Sequence, residues 1–153
     1  MKTQTKILLT MITAASMNIA MAADNADVKV KAAVVNNCKI NSTTDINFGS
    51  LDPAAATNSS AGGSVIFACT KNVDYVLSAD NGSHFDSAIG KRRMKGGDSN
   101  YLPYSLAQAS FPGKGMGFGT PITVALSASI QGSDYRDLPA DNYMDTLHLT
   151  ITP

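Results

Sequence analysis

Apolar and polar residues alternate with a period of two through most of the chain beyond residue 22, and no stretch there sustains the 3.6-residue stripe of an amphipathic helix. The pattern predicts an all-β protein. Val28, Val30, Ala32 and Val34 alternate with Lys29, Lys31 and Ala33, which predicts a strand over residues 27–35 with one apolar face. A strand start at Cys38, Lys39 and Ile40 follows, then a turn-rich stretch over 41–45 and the short run Ile46, Asn47, Phe48, Gly49. Residues 53–63 read as a loop of small side chains. Val65, Phe67 and Cys69 alternate, as do Tyr75, Leu77 and Ala79, and the polar Thr70, Lys71 and Asn72 between them complete a hairpin pattern. Residues 82–100 predict a loop with an edge strand. Leu102, Tyr104 and Leu106 form the next alternation, and Gly113, Gly115, Gly117 and Gly119 make a flexible link to Ile122, Val124, Leu126, Ala128 and Ile130. After turns over 132–142, the last strand carries Tyr143, Leu147, Leu149 and Ile151 on one face, with Asp145 at its mouth.

Counted from Cys38, these make about six principal strands at the spacing of a β-sandwich, where an immunoglobulin-like sandwich wants seven. The expected fold is therefore an incomplete immunoglobulin-like β-sandwich. Stopping at the sixth strand leaves one side of the core open and a sheet edge unpaired, a configuration that aggregates unless something covers it. The surplus strand lies at the other end, over 27–35. Alternation leaves two fates open for it: folding back onto its own domain, or leaving to fill another copy.

Composition narrows the class. A chain of 153 residues with 44% hydrophobic content supports one domain with a real core. Twelve Lys and Arg balance twelve acidic residues, every one of them Asp, so the charge does not favour a nucleic acid or an anionic membrane as partner. The absence of Glu and the abundance of Ser, Thr and Asn suit strands and turns better than helices. Lys2 and Lys6, an apolar run over 7–17 and the small-x-small site Ala20, Met21, Ala22 have the form of a secretory signal over residues 1–22. The alternative, a membrane anchor, is disfavoured because the run is short of a span and Thr10, Thr13, Ser16 and Asn18 dilute it. Without the signal, ten basic and twelve acidic side chains remain, a formal charge of −2. Export places Cys38 and Cys69, the two cysteines of the chain, in an oxidising compartment, and they are expected to pair.

Candidate chemistry is sparse. His84 lies in a polar loop and His148 on the outward parity of the last strand, and no G-x-S-x-G or H-E-x-x-H motif accompanies them. Both are expected to be solvated, with no catalytic residue, metal or cofactor. The glycines of 113–119 precede a strand and do not link a strand to a helix, so they predict a loop and not a phosphate cradle. Residues 91–95 form a basic run without interleaved aromatics, which suits a solvated edge strand that discourages pairing. Tyr143 is placed either for a tyrosine-corner hydrogen bond or for simple core packing.

Several signals in order resemble the spore coat protein U family, which includes the archaic chaperone–usher pilins. They are Asn37-Cys38-Lys39-Ile40, Phe48-Gly49, Ala68-Cys69-Thr70 followed by Tyr75-Val76-Leu77, Arg92-Arg93-Met94, Leu102-Pro103-Tyr104-Ser105-Leu106 and Tyr143-Met144-Asp145-Thr146-Leu147. Asp141 stands where the G-x-Y-x-D pattern carries glycine, and Thr152-Pro153 stands where an apolar or aromatic end is expected. The resemblance implies a structural subunit, not an enzyme, with a donor-strand segment over 23–36 and a pilin-like domain over 37–153. It further implies export through the periplasm with a dedicated chaperone, polymerisation at an outer-membrane usher with other pilin subunits, and a surface fibre for attachment and biofilm formation. Val28, Val30, Ala32 and Val34 would supply the missing strand of a neighbour, a form of β-augmentation. Two alternatives stand beside it: a non-filamentous coat component, and a self-closed secreted binding module.

Overall fold

The computed structural model of the protein describes residues 23–153; the expected signal over 1–22 lies outside the described residues. Residues 34–153 fold as one compact unit. Its strands are β1 (Cys38–Thr44), β2 (Ser59–Cys69), β3 (Asp74–Ala79), β4 (Arg92–Lys95), β5 (Tyr101–Leu106), β6 (Ser110–Lys114), β7 (Ile122–Ile130) and β8 (Leu149–Thr152), with one helical turn, α1 (Gly132–Tyr135), after β7. They form two antiparallel sheets, one in the order β1-β2-β7-β5-β4 and one in the order β6-β3-β8. This is the immunoglobulin-like sandwich expected from the alternation. Strands β1, β2, β3, β5, β7 and β8 are its six principal strands, and the basic run supplies the edge strand β4.

Several local expectations differ from what is observed. Residues 59–63, read as the end of a loop, are the start of β2, where they pair with β7. The Val65 to Ala79 pattern is not a hairpin. β2 belongs to the five-stranded sheet and β3 to the three-stranded one, so residues 70–73 carry the chain across the sandwich, with Asn72 in the left-handed region that Asn tolerates better than most residues. Alternation records which side chains face inward, and a crossing between sheets preserves that parity. The run at 46–49 forms no strand, and the glycine link begins later than expected, because 110–114 form β6. Pro112 is tolerated there because β6 is a sheet edge, where a missing N–H costs no ladder bond.

The core divides along the strand direction. At the end where Cys38 pairs with Cys69 and Asp74 with Lys114, here called the lower end, Val65, Phe67, Cys69, Tyr75 and Leu77 form one buried cluster. Phe67 meets Tyr75 across the two sheets, edge to face, with ring centroids 5.0 Å apart, a favoured aromatic geometry. The Cys38 and Cys69 sulfurs are bonded at 2.04 Å and tie β1 to β2 at this end. At the opposite, upper end, Leu102, Tyr104, Ala128, Ile130 and Tyr135 form a second cluster. Here β4, β5 and the upper half of β7 have no strand of the second sheet packed over them among the described residues. Ile46, Phe48, Leu51, Leu138 and Tyr143, from chain outside the strands, cover part of their inner face.

Candidate strand-acceptor groove

Two lengths of chain border the uncovered face. The first continues β1 through residues 45–51. Asn47 Oδ1 accepts a hydrogen bond from Gly49 N at 2.8 Å, and Gly49 adopts a positive φ, a side-chain-closed turn that carries Ile46, Phe48 and Leu51 inward. Gly63 of β2 lets this border press close: a Cβ there would lie 2.6 Å from Thr44 O and 2.8 Å from the Ile46 side chain.

The second border is residues 143–152, fastened along its far side by backbone bonds. Met144 exchanges hydrogen bonds with Lys95, Ser83 N donates to Thr146 O at 3.1 Å, Asp80 N donates to His148 O at 3.0 Å, and β8 then pairs with β3. Tyr143 donates its hydroxyl to Pro139 O at 2.9 Å, a tyrosine-corner-like bond, while its ring packs against the upper cluster, so both expected roles are filled.

Asp145 anchors this border from within. Its side chain is 4% exposed; Oδ2 accepts the Tyr104 hydroxyl at 2.7 Å, and Oδ1 faces His84 Nδ1 at 3.0 Å and the His84 backbone N–H at 3.2 Å. Gly82, with a positive φ, is required nearby, since a Cβ would collide with the Asp145 carboxylate. Burial, the hydrogen bond to Asp145 and the carboxylate charge together push the Tyr104 phenol well above its ordinary pKa, so it remains a donor. Asp80 is shifted the other way. Partial desolvation works to raise it, but the N–H groups of Gly82 and His148 hold its carboxylate below the usual range.

Between the borders lie two adjoining cavities of about 280 and 580 Å³ that share Ile46, Phe48 and Met94. Leu126, Ala128, Leu147 and Leu149 line the first, and Leu102, Ile130 and Leu138 the second. β1 is the edge of one sheet and β8 the edge of the other, and the two edges approach one another. An apolar floor flanked by two unpaired backbone edges is what an added β-strand requires: side chains for the floor and main-chain bonds for the edges.

The residues singled out in the sequence fall in different places. Val28, Val30 and Val34 are exposed at 87%, 93% and 88%, Ala32 is exposed as well, and residues 23–37 form no strand. His148 is exposed as expected, but His84 is not simply solvated: it is half-buried against Asp145, because the 80–84 turn is laid along the second border. The basic run is an edge strand whose arginines are engaged. Arg92 donates to Asp80 O, and Arg93 pairs with Asp86 at 2.8 Å and lies 4.2 Å over the Tyr101 ring. The pairing of Asp145 with Tyr104 and His84 was not visible in the sequence, although Asp145 shares its parity with Leu147 and Leu149 on an inward face, which is an unusual position for a carboxylate.

Residues 24–150 match the family model of the Spore Coat Protein U domain. Comparison with curated proteins gave no match. Among solved structures the chain is similar to one described as the CsuC–CsuE chaperone–tip adhesion subunit pre-assembly complex from archaic chaperone–usher Csu pili of Acinetobacter baumannii, at 21% sequence identity and a TM-score of 0.48. That similarity covers 77% of this chain and 40% of the other, so the chain spans well under half the length of that relative.

Proposed function

The chain belongs to the Spore Coat Protein U domain family, and from that premise we propose that it is a structural, non-catalytic subunit of a surface pilus. In this reading the mature protein begins near residue 23, passes the periplasm on a chaperone that occupies the groove, and is polymerised at an outer-membrane usher. Residues 27–35 of one copy then replace the chaperone in the groove of the next, and the fibre serves attachment and biofilm formation.

The observation that carries the reading is the open groove itself, with Leu126, Ala128, Ile130, Leu147 and Leu149 beneath two unpaired edges. A suitable occupant is present in the same chain. Val28, Val30, Ala32 and Val34 share one face of an extended segment, and alternate residues of a strand point to one side. From Val28 to Val34 an extended strand covers about 20 Å at 3.4 Å per residue, the reach of a β-strand of ordinary length.

The test is to move the segment. Deleting residues 23–36 and appending them after Pro153 through a short flexible linker is expected to give a monomer that does not polymerise and melts well above the unpolymerised native chain. A rearranged chain that melts no higher and still polymerises would overturn the reading.

A further inference from the structure

We infer that the lower end of one copy seats directly on the upper end of the next, Lys71, Met116 and Phe118 of the first meeting Asp137, Leu138 and Asp141 of the second. The inference rests on the donor-strand reading and adds to it a second, independent contact between copies.

The first ground is how the N-terminal segment leaves its domain. Asn37 N donates to Thr70 Oγ1 at 3.0 Å, Thr70 N donates to Asn37 O at 2.9 Å, and Thr70 Oγ1 lies 3.2 Å from Val35 O. These bonds staple residues 35–37 to the lower end, so the last apolar residue of the donor, Val34, adjoins the fixed part of the chain. Even with the staple released, the four residues from Val34 to Cys38 span at most about 14 Å. That leaves no room for a spacer between the occupied groove and the next domain.

The second ground is direction. β8 runs toward the lower end, with Thr152 opposite Val76 and Leu149 opposite Ala79. β1 runs the other way, from Cys38 at the lower end to Thr44, so a strand between the two edges is antiparallel to one and parallel to the other. Running downward would put the donor's domain at the acceptor's lower end, where the acceptor's own residues 35–37 leave; the strand antiparallel to β8, which runs upward, avoids that clash. Its C-terminal residue emerges at the upper end of the acceptor, where residues 138–142, just after Asp137, line the rim of the second cavity, and the donor's own lower end follows immediately.

The third ground is the chemistry of the two ends. Met116 and Phe118 are 57% and 50% exposed on a loop that is nonetheless fixed: Gly117 N donates to Cys69 O at 3.0 Å and Asn72 N to Gly115 O at 2.8 Å. Lys71 is exposed beside them; a Cβ on Gly117 would lie 3.7 Å from its own. On the upper rim, half-buried Leu138 and exposed Pro139 and Ala140 lie between the exposed carboxylates of Asp137 and Asp141, with Arg136 against Asp137. An apolar patch flanked by a cation thus faces an apolar patch flanked by anions, the complementarity that sets register and encounter rate. The contact joins two different surfaces, a head-to-tail arrangement that can repeat from copy to copy along a fibre.

The test uses polymer of the mature full chain with Phe118 replaced by a photoreactive benzophenone amino acid. Irradiation and peptide mapping are expected to place the cross-link in residues 131–142 of the neighbouring copy. In parallel, Lys71→Glu is expected to slow polymer growth several-fold at low ionic strength, with the difference vanishing near 0.5 M salt, where charges are screened within about 4 Å. Asp137→Lys on that background should restore the rate. Polymer whose cross-links fall elsewhere, or Lys71→Glu growth equal to that of the unmodified chain at low salt, overturns the end-to-end contact and leaves the donor strand standing. Absence of polymer from the unmodified chain overturns both.

Discussion

Replacing Asp145 by alanine removes the acceptor that three donors share: the Tyr104 hydroxyl at 2.7 Å, His84 Nδ1 at 3.0 Å and the His84 backbone N–H at 3.2 Å. With the Asp145 side chain 4% exposed, water has little access to take its place. A hydrogen bond to a charged group contributes about 1.5–3 kcal/mol, and a buried donor left without a partner costs about 1–3 kcal/mol. The half-exposed His84 ring recovers part of its loss from solvent, so the expected destabilisation is about 3–5 kcal/mol. For a domain of this size each kcal/mol moves Tm by about 3–5 °C, and the alanine protein should melt about 10–20 °C lower. Asp145→Asn keeps a carbonyl for His84 and turns its amide toward the Tyr104 oxygen, which can accept. It exchanges charge-assisted bonds for neutral ones and should cost about 1–2 kcal/mol. Urea unfolding of the mature chain, with Tyr104→Phe as the second arm of a double-mutant cycle, separates the pair from its surroundings. The expected coupling between Asp145 and Tyr104 is about 1.5–3 kcal/mol. A destabilisation by Asp145→Ala below about 1 kcal/mol, or a coupling near zero, would refute the assignment of Asp145 as the anchor of the groove border.

Val30→Asp places a carboxylate where the donor strand would be buried, and because Val30 is 93% exposed in the free subunit the monomer should fold normally while polymer disappears. Three buried valines are worth about 5–9 kcal/mol at about 1.5–3 each, and heat-labile ladders persisting on an unboiled gel would count against the donor strand. Cys69→Ser opens a loop with a sequence separation of 31 and should lower stability by about 3–4 kcal/mol in the chain-entropy model, measured by denaturant unfolding with and without reductant. Tyr104 keeps its proton in the folded state beyond the pH near 10 at which an unfolded phenol releases it. The folded chain then binds more protons than the unfolded one, so stability is fully present below about pH 10 and falls as pH rises further. Tyr104→Phe should flatten that alkaline slope, read from urea midpoints across pH 8–11.

Much of the architecture is a property of the sequence alone. Val65, Phe67 and Cys69, Tyr75 and Leu77, and Leu126, Ala128 and Ile130 alternate because a strand with one buried face has period two, and these residues are the ones with little or no exposure. The apolar face of Val28, Val30, Ala32 and Val34 is a pattern of the sequence too, carried by an exposed segment that forms no strand. The cysteine pair followed from composition and compartment. Sheet membership was decided by the tertiary structure: an inward parity is the same on either sheet, so β2 and β3 read as a hairpin until their partners were seen. The run at 46–49 carries strand residues but has no strand partner among the described residues, and it forms the border of the groove. The sites of Asp145, His84 and Tyr104 depend on contacts between residues 41 and 61 positions apart. No local pattern encodes such distances, because a buried carboxylate is tolerated only where distant donors converge on it.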